Sequence, residues 1–452
     1  MRKTIIFALT FLLSHSIFAQ RGPVFSTNDY VIALKHATEV MITDVTSPAA
    51  ASRYYAYINL AANETAVLFN KQQPTFVGTA HGLKTITVPD SLVRQSDPDL
   101  AVLLALYKIA GRLLPSGYLL KPNYDSLLTV AKKRKLSPKK INATIKLVDK
   151  SVEQILAYSA SDGFMRLSGL KRFTPAPGDA YWKPTAPGFM AAIEPNWNTL
   201  RTFILDSCSQ FEGEDLAAYN TDTSSSFYKA MKEVYDIQKN LTAEQGHIAM
   251  FWDCNPFNLQ QLGHLEFGIK KISPGGHWMG ITGIACKKKK LNLDNAVYVH
   301  TLVSIGLADA FISSWNDKYK SNRVRPITAI QKLIEPGWVP VLQTPPFPEY
   351  TSAHSVISTT SSVILTHLFG ANFAFTDNTE EEFGLPSRSF NSFTEASNEA
   401  AISRLYGGIH FRDAVENGVV EGQQIGSFIV SHCPDVKANS GNNVNAAVVP
   451  KN

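Results

Sequence analysis

Cationic and imidazole side chains recur in three short segments of the C-terminal half: Lys318 to Pro326, Ser352 to His354, and Arg404 to His410. Between them they hold Lys318, Arg325, Ser352, His354, Arg404 and His410. A phosphate-like oxyanion carries several charged oxygens, and keeping it out of bulk water takes several fixed cationic donors. The planar fork of Arg suits such oxygens well. Two histidines add a ligand or nucleophile and a proton donor. The residue types are those of an oxyanion pocket in an enzyme.

Each segment implies a local geometry. Lys318 and Arg325 are seven residues apart, about two helical turns, so a continuous helix would carry both on one face beside Trp315. Pro326 is expected to end or kink that helix. Taken alone, with Lys320 and Arg323 nearby, this segment reads as a solvated basic face. In the second segment, Pro345, Pro346 and Pro348 stiffen the approach to Thr351-Ser352-Ala353-His354, and a helix is expected to begin near Ser352. A helix N-terminus presents unsatisfied N–H groups and the positive end of its dipole. Ser352 and the Ala353 N–H would then donate to an oxygen, with His354 able to give or take a proton. In the third segment, Gly407-Gly408 should break a helix, so that Arg404 closes one element and His410 enters the next.

In this order and with these spacings, Lys318-(six)-Arg325-Pro326, Ser352-Ala353-His354 and Ser403-Arg404-(three)-Gly408-(one)-His410 resemble the signature of the vanadium-dependent haloperoxidases. Type 2 phosphatidic acid phosphatases and bacterial acid phosphatases share it. The resemblance runs from about Phe251 to Gln424, and Trp182-Lys183-Pro184-Thr185 and Phe251-Trp252-Asp253 look like the secreted, soluble haloperoxidase branch. It implies that Lys318, Arg325, Ser352, Ala353 and Arg404 hold vanadate or phosphate. His410 would be the vanadium ligand, or the nucleophile of a phosphatase, and His354 the acid–base group. The implied activity is halide oxidation by hydrogen peroxide on a vanadate cofactor. The alternatives are an acid phosphatase that hydrolyses a phosphoester through a phosphohistidine, or an inactive anion-binding protein. Two departures stand out. Ala353 replaces the family's usual glycine, adding a methyl and losing freedom at positive φ. An acidic residue follows His410 at three positions, Asp413, rather than at four, and is carried over as a brace. Asp253 is expected to brace Arg404, and His277, in a Gly-Gly-His-Trp stretch, reads first as a structural loop histidine and second as a residue lining the pocket mouth.

The elements that must position these groups are mostly helical. Periodicity predicts helices over 28–41, 49–69 (capped by Ser47 with Pro48 at its first position), 97–114, 137–159, 293–316, 355–368, 394–405 and 414–432. Thr242 and Gln245 form a capping box ahead of 248–252. The Pro/Gly-rich stretches 173–195 and 272–282 read as irregular, the first as an ordered connection between two halves. The expected fold is mainly α, two packed helical bundles: an N-terminal helical region over 20–195 and a site-bearing region over 196–434, with a frayed tail at 435–452.

With 452 residues, 44% hydrophobic and 18% charged, the chain has ample core, and a net charge of +5 gives no case for nucleic-acid binding. Arg2-Lys3, the apolar run Thr4 to Leu13 and Ile17-Phe18-Ala19 before Gln20 read as a cleavable secretory signal over 1–19. Secretion or a periplasmic location follows as an expectation, and no other segment is expected to span a membrane. Four cysteines (Cys208, Cys254, Cys286 and Cys433) permit disulfides or free thiols.

Overall fold

The computed structural model describes residues 24–213, 216–256 and 271–433, with the backbone of 258–262 and 265–269. The expected signal segment and the tail after 434 lie outside the described residues.

Fourteen α-helices dominate the described residues. The N-terminal half contributes α1 (Thr27–Thr43), α2 (Pro48–Phe69), α3 (Asp90–Gln95), α4 (Pro98–Leu113), α5 (Lys121–Lys133) and α6 (Pro138–Ala160). After a long connection come α7 (Ser226–Lys239), α8 (Ala243–Phe251), α9 (Pro274–Lys288), α10 (Leu293–Ser321) and α11 (Pro326–Leu333). The chain closes with α12 (Ala353–Phe369), α13 (Phe393–Tyr406) and α14 (Arg412–His432). Two small antiparallel hairpins interrupt them, β1–β2 (Asn258–Leu262, Leu265–Ile269) and β3–β4 (Phe375–Asp377, Arg388–Phe390).

Local signals explain most of the boundaries. Ser47, Asp97, Ser137, Ser225, Thr242, Ser273, Asn292, Ser352 and Ser392 each cap the helix that follows through a side-chain acceptor. Pro48, Pro98, Pro138, Pro274 and Pro326 occupy first helical positions, where the missing N–H costs nothing. Two expectations change for this reason. Residues 272–282 are not an irregular stretch, because α9 begins at Pro274. Its glycines mark close packing: a Cβ on Gly276 would stand 2.8 Å from the Tyr55 hydroxyl on α2. Pro326 does not end a helix carrying Arg325. It starts α11, and the preceding helix, α10, stops at Ser321 with Asn322 in the left-handed conformation (φ 48°).

The central helix is α10, whose residues from Ala296 to Lys318 are all buried. Among the described residues it is the one helix long and apolar enough to cross a membrane, and its apolar stretch is buried inside the protein. It packs on α2 from the N-terminal half and on α12 from the C-terminal half, and one continuous apolar core runs through both. The 173–195 connection is pinned by a bridge between Tyr181 and Arg323 and by the Trp182 N–H donating to the Asn322 carbonyl (2.9 Å). This holds the turn between α10 and α11 in place. All four cysteines are free, Cys254 and Cys286 among the buried residues.

Candidate oxyanion site

The three segments converge on a cavity of about 60 Å³ lined by Ala353, His354, Arg404 and His410. Trp315, Phe347, Phe311, Cys254 and Asp253 complete much of its wall. Lys318, Arg325 and Ser352 are fully buried beside these residues.

Lys318 and Arg325 come together without sharing a helix. Lys318 closes α10, and its Nζ donates to the carbonyls of Thr351 (2.5 Å), Glu349 (3.2 Å) and Pro348 (3.4 Å). Arg325 caps α11 in extended conformation and donates to the carbonyls of Phe347 (2.9 Å), Ile409 (2.8 Å) and Pro348 (3.3 Å). Its Nη1 also lies 3.1 Å from Nε2 of His410. The proline-rich strap 345–351 is therefore held by both cations, and it delivers the chain to the N-terminus of α12. Ser352 caps α12 and accepts from the Ser355 hydroxyl (2.8 Å). Ala353 is the first residue of α12 and is not among the residues with positive φ. The freedom of a glycine at positive φ is thus not needed there, which answers the backbone part of the Ala353 departure.

Arg404 sits in the last turn of α13 and reaches the C-terminal end of α8, donating from Nη2 to the Trp252 carbonyl (2.7 Å). Gly408, at φ 76°, makes the turn that carries the chain on to His410. His410 lies in this connection, two residues before α14. Its Nδ1 is 2.8 Å from Oε1 of Glu349, a fully buried carboxylate that also accepts from the Phe411 N–H (2.9 Å) and Nη1 of Arg323 (3.2 Å). An acidic partner on Nδ1 fixes the proton there and leaves a lone pair on Nε2, the arrangement of a ligating imidazole.

The electrostatics follow from burial and crowding. Burial, then the charge of Arg325, push the Lys318 ammonium well below its usual range. Burial pulls the Arg325 guanidinium down to about 10. Burial and then the Arg325 and Lys318 charges hold His410 neutral. Burial and then Arg404 do the same for His354. Cations this close repel one another, and an anion among them offsets that repulsion. Two buried polar atoms of cavity-lining residues have no hydrogen-bond partner, Nε2 of His354 and Nε1 of Trp315. The donor set, the orphaned nitrogens and the cavity size fit a small oxyanion.

The remaining expected residues are placed differently. Asp253 accepts from Lys271 (2.6 Å), and its charge favours the Arg404 cation. Asp413 does not touch His410. Its carboxylate clamps Arg323 through two bonds (2.7 and 2.8 Å), and Arg323 meets Glu349. The brace on His410 is Glu349, with Asp413 two steps behind. His277 does not stand at the pocket mouth; it is structural, as first read, but on a helix rather than in a loop. It is fully buried on α9, behind Trp252, with their rings stacked at 4.6 Å. In the sequence, Glu349 is one of two charged residues between Lys332 and Ser352, the other being Glu335, and it directly follows the last proline of the strap. Its contact with His410 is not legible there, because the two are 61 residues apart.

Comparison with known proteins agrees with this geometry. The family model for the second helical-bundle domain of VCPO matches residues 298–438. No curated protein sequence matches the chain. Among solved structures, the first bacterial vanadium-dependent iodoperoxidase is similar with a TM-score of 0.84 and 40% identity, covering 90% of this chain and 96% of that one. A bacterial vanadium-dependent chloroperoxidase shares the fold in its holo form (TM-score 0.65, 16% identity, 87% of this chain and 93% of that one). Its apo form does so with a TM-score of 0.62, 16% identity and coverage of 87% and 95%. Fold and site together define a helical oxyanion-binding protein of the haloperoxidase type. The chain belongs to the vanadium-dependent haloperoxidase superfamily.

Proposed function

We propose that the protein is a vanadate-dependent haloperoxidase that oxidises iodide with hydrogen peroxide. The observation that carries this reading is His410, with Nδ1 fixed by Glu349 and Nε2 facing the Arg325 cation at the cavity. His410 Nε2 would hold the vanadium, and Lys318, Arg325, Arg404, Ser352 and the Ala353 N–H would surround its oxygens. When bound, vanadate supplies a Lewis-acidic centre that activates peroxide without changing its own oxidation state.

The chain's own residues supply the rest. Halide, peroxide and one proton give hypohalous acid and water, so the reaction consumes a proton. His354 is neutral beside the cations, and its Nε2 has no protein partner. An anion in the cavity offsets the repulsion from Arg404, which lets His354 take up the proton that the reaction uses. Trp315, Phe311 and Phe347 form an apolar wall that excludes water and strengthens the field of the cations. Iodide is the least strongly hydrated of the common halides and loses least on entering such a wall. The 40% identical iodoperoxidase supports the same halide.

The test is peroxide-dependent iodide oxidation by protein stripped of anions and then loaded with vanadate. Oxidation that requires vanadate is expected. Hydrolysis of phosphomonoesters without iodide oxidation would make the protein an acid phosphatase. Neither activity would leave an anion-binding protein.

A further inference from the structure

Behind the wall of the oxyanion cavity, which Cys254 helps to form, one cluster of ligand-type side chains among the described residues has no role assigned above: Cys254, His277 and Glu380. It joins the turn after α8, the first turn of α9 and the turn after β3. All three residues are buried, at 3%, 0% and 2% exposure. Sγ of Cys254 lies 3.3 Å from Nδ1 of His277 and 3.7 Å from Oε1 of Glu380. The same nitrogen and oxygen are 3.0 Å apart. The far nitrogen, Nε2, is 2.7 Å from Oδ2 of Asp377.

Hydrogen bonds in this cluster converge on two atoms, Nδ1 of His277 and Oε1 of Glu380. Nδ1 faces both Sγ and Oε1, yet an imidazole nitrogen carries one proton and directs it along one line. If that proton goes to Glu380, the thiol donates to the same oxygen at 3.7 Å, so both donors share one acceptor. A cation at the centre of the triangle serves all three atoms. Tetrahedral zinc bound to sulfur, nitrogen and oxygen at usual lengths has edges of roughly 3.6 Å (S–N), 3.6 Å (S–O) and 3.4 Å (N–O). The observed 3.3, 3.7 and 3.0 Å each fall within about 0.4 Å of those edges. Asp377 on Nε2 is the carboxylate that orients a ligating histidine and strengthens it as a donor.

Charge does not oppose the ion. Without a metal, burial opposes a charge on His277, but Asp377 and Cys254 together outweigh it and favour the imidazolium, while burial pushes the Cys254 thiol up to about 11. An imidazolium, a thiol and two carboxylates sum to one negative charge. A divalent ion that displaces the Nδ1 proton and the thiol proton, both released to solvent, leaves the same net charge, so no additional charge is buried.

The geometry points to a zinc-type divalent metal site formed by Cys254 Sγ, His277 Nδ1 and Glu380 Oε1, with Asp377 as the outer partner of His277 and water as fourth ligand. Its role is positioning. The His277 ring stacks on Trp252 at 4.6 Å and 16°, and the Trp252 carbonyl holds Arg404. A metal there anchors the wall from which Arg404 faces the oxyanion cavity. The site shares no ligand with the donors proposed for the anion, although Cys254 also lines that cavity.

The test uses the full chain, stripped with a chelator and titrated with Co²⁺ alone. One ion per chain is expected, with visible bands of tetrahedral cobalt and a near-ultraviolet thiolate-to-cobalt band, displaced by one equivalent of Zn²⁺. Cys254→Ser should lose the thiolate band. Asp377→Asn should keep it with affinity weakened about 10- to 100-fold. A Cys208→Ser/Cys433→Ser variant should behave as the parent. X-ray absorption at the zinc edge of the unmodified protein, which does not depend on any variant folding, should show one sulfur among light ligands. No stoichiometric binding, a thiolate band that survives Cys254→Ser, or a zinc edge without sulfur would overturn the site.

Discussion

Replacing Glu349 by Gln separates ligation from simple anion attraction. Glu349 accepts from three donors: His410 Nδ1 (2.8 Å), the Phe411 N–H (2.9 Å) and Arg323 (3.2 Å). Glutamine has one acceptor oxygen. With that oxygen toward His410 and Phe411, its amide group meets Arg323 donor to donor, and the opposite orientation sets it against two donors. The bond to Nδ1 loses its charge assistance in either case, which lowers the basicity of Nε2. Loss of such a partner typically weakens metal binding about 10- to 100-fold, or about 1.4 to 2.7 kcal/mol. A second effect has the opposite sign. Removing a negative charge about 7 Å from the anion favours any oxyanion by about 2 kcal/mol at an effective dielectric constant near 20. Phosphate, held by the cations without a bond to His410 Nε2, experiences only this second effect. The expected result is a fall of about 10- to 100-fold in the ratio of vanadate to phosphate affinity, measured by parallel calorimetric titrations. Phosphate itself should bind as well or better. Equal changes for both anions would refute the reasoning, since Glu349 would then act only as a charge. Asp413→Asn acts through Arg323 and should move the ratio less than Glu349→Gln does.

Three further outcomes are expected. His410→Ala should abolish vanadate binding while phosphate still binds the remaining cations; unchanged vanadate affinity would remove His410 as the ligand. Ala353→Gly should lower unfolding free energy by less than about 1 kcal/mol and leave activity within tenfold, because Ala353 begins a helix without positive φ; a steep gain in denaturant-matched activity assays would show that the methyl obstructs the anion. His300 is fully buried, its Nδ1 donates to the Ala296 carbonyl at 2.7 Å, and burial lowers it from 6.5 to about 4. Its folded value lies below its unfolded one, so the unfolded chain binds the extra proton and stability is lost as pH falls from 6.5 toward 4. Relative to His300→Gln, the parent should lose about 3 kcal/mol across that window in denaturant melts; parallel profiles for the two proteins would show that His300 does not titrate with folding.

Local chemistry was legible in the sequence because it acts over a few residues. Caps such as Ser47 and Thr242, Pro48 at a first helical position and apolar periodicity placed the main helices, as the expected start near Ser352 did for α12, which presents Ala353 and His354. The spacing of the three cationic segments likewise marked the residues that gather around the cavity. Where a local signal had two readings, the sequence could not choose. Pro326 ends one helix or begins another, and the glycines at 275 and 276 mark either a loop or a close helix contact.

Tertiary structure alone decided the partnerships. Glu349 reaches His410 over 61 residues, while nearby Asp413 is drawn to Arg323 instead. His277 is turned away from the cavity to meet Cys254, Glu380 and Asp377 from two other parts of the chain. Lys318 and Arg325 converge because the 345–351 strap offers its carbonyls to both, not because one helix carries them. The physical reason is common to these cases. Sequence states which side chains can donate, accept or ligate, but a buried charge takes the partner that folding brings within about 3 Å, and that choice is made by the packing of distant helices.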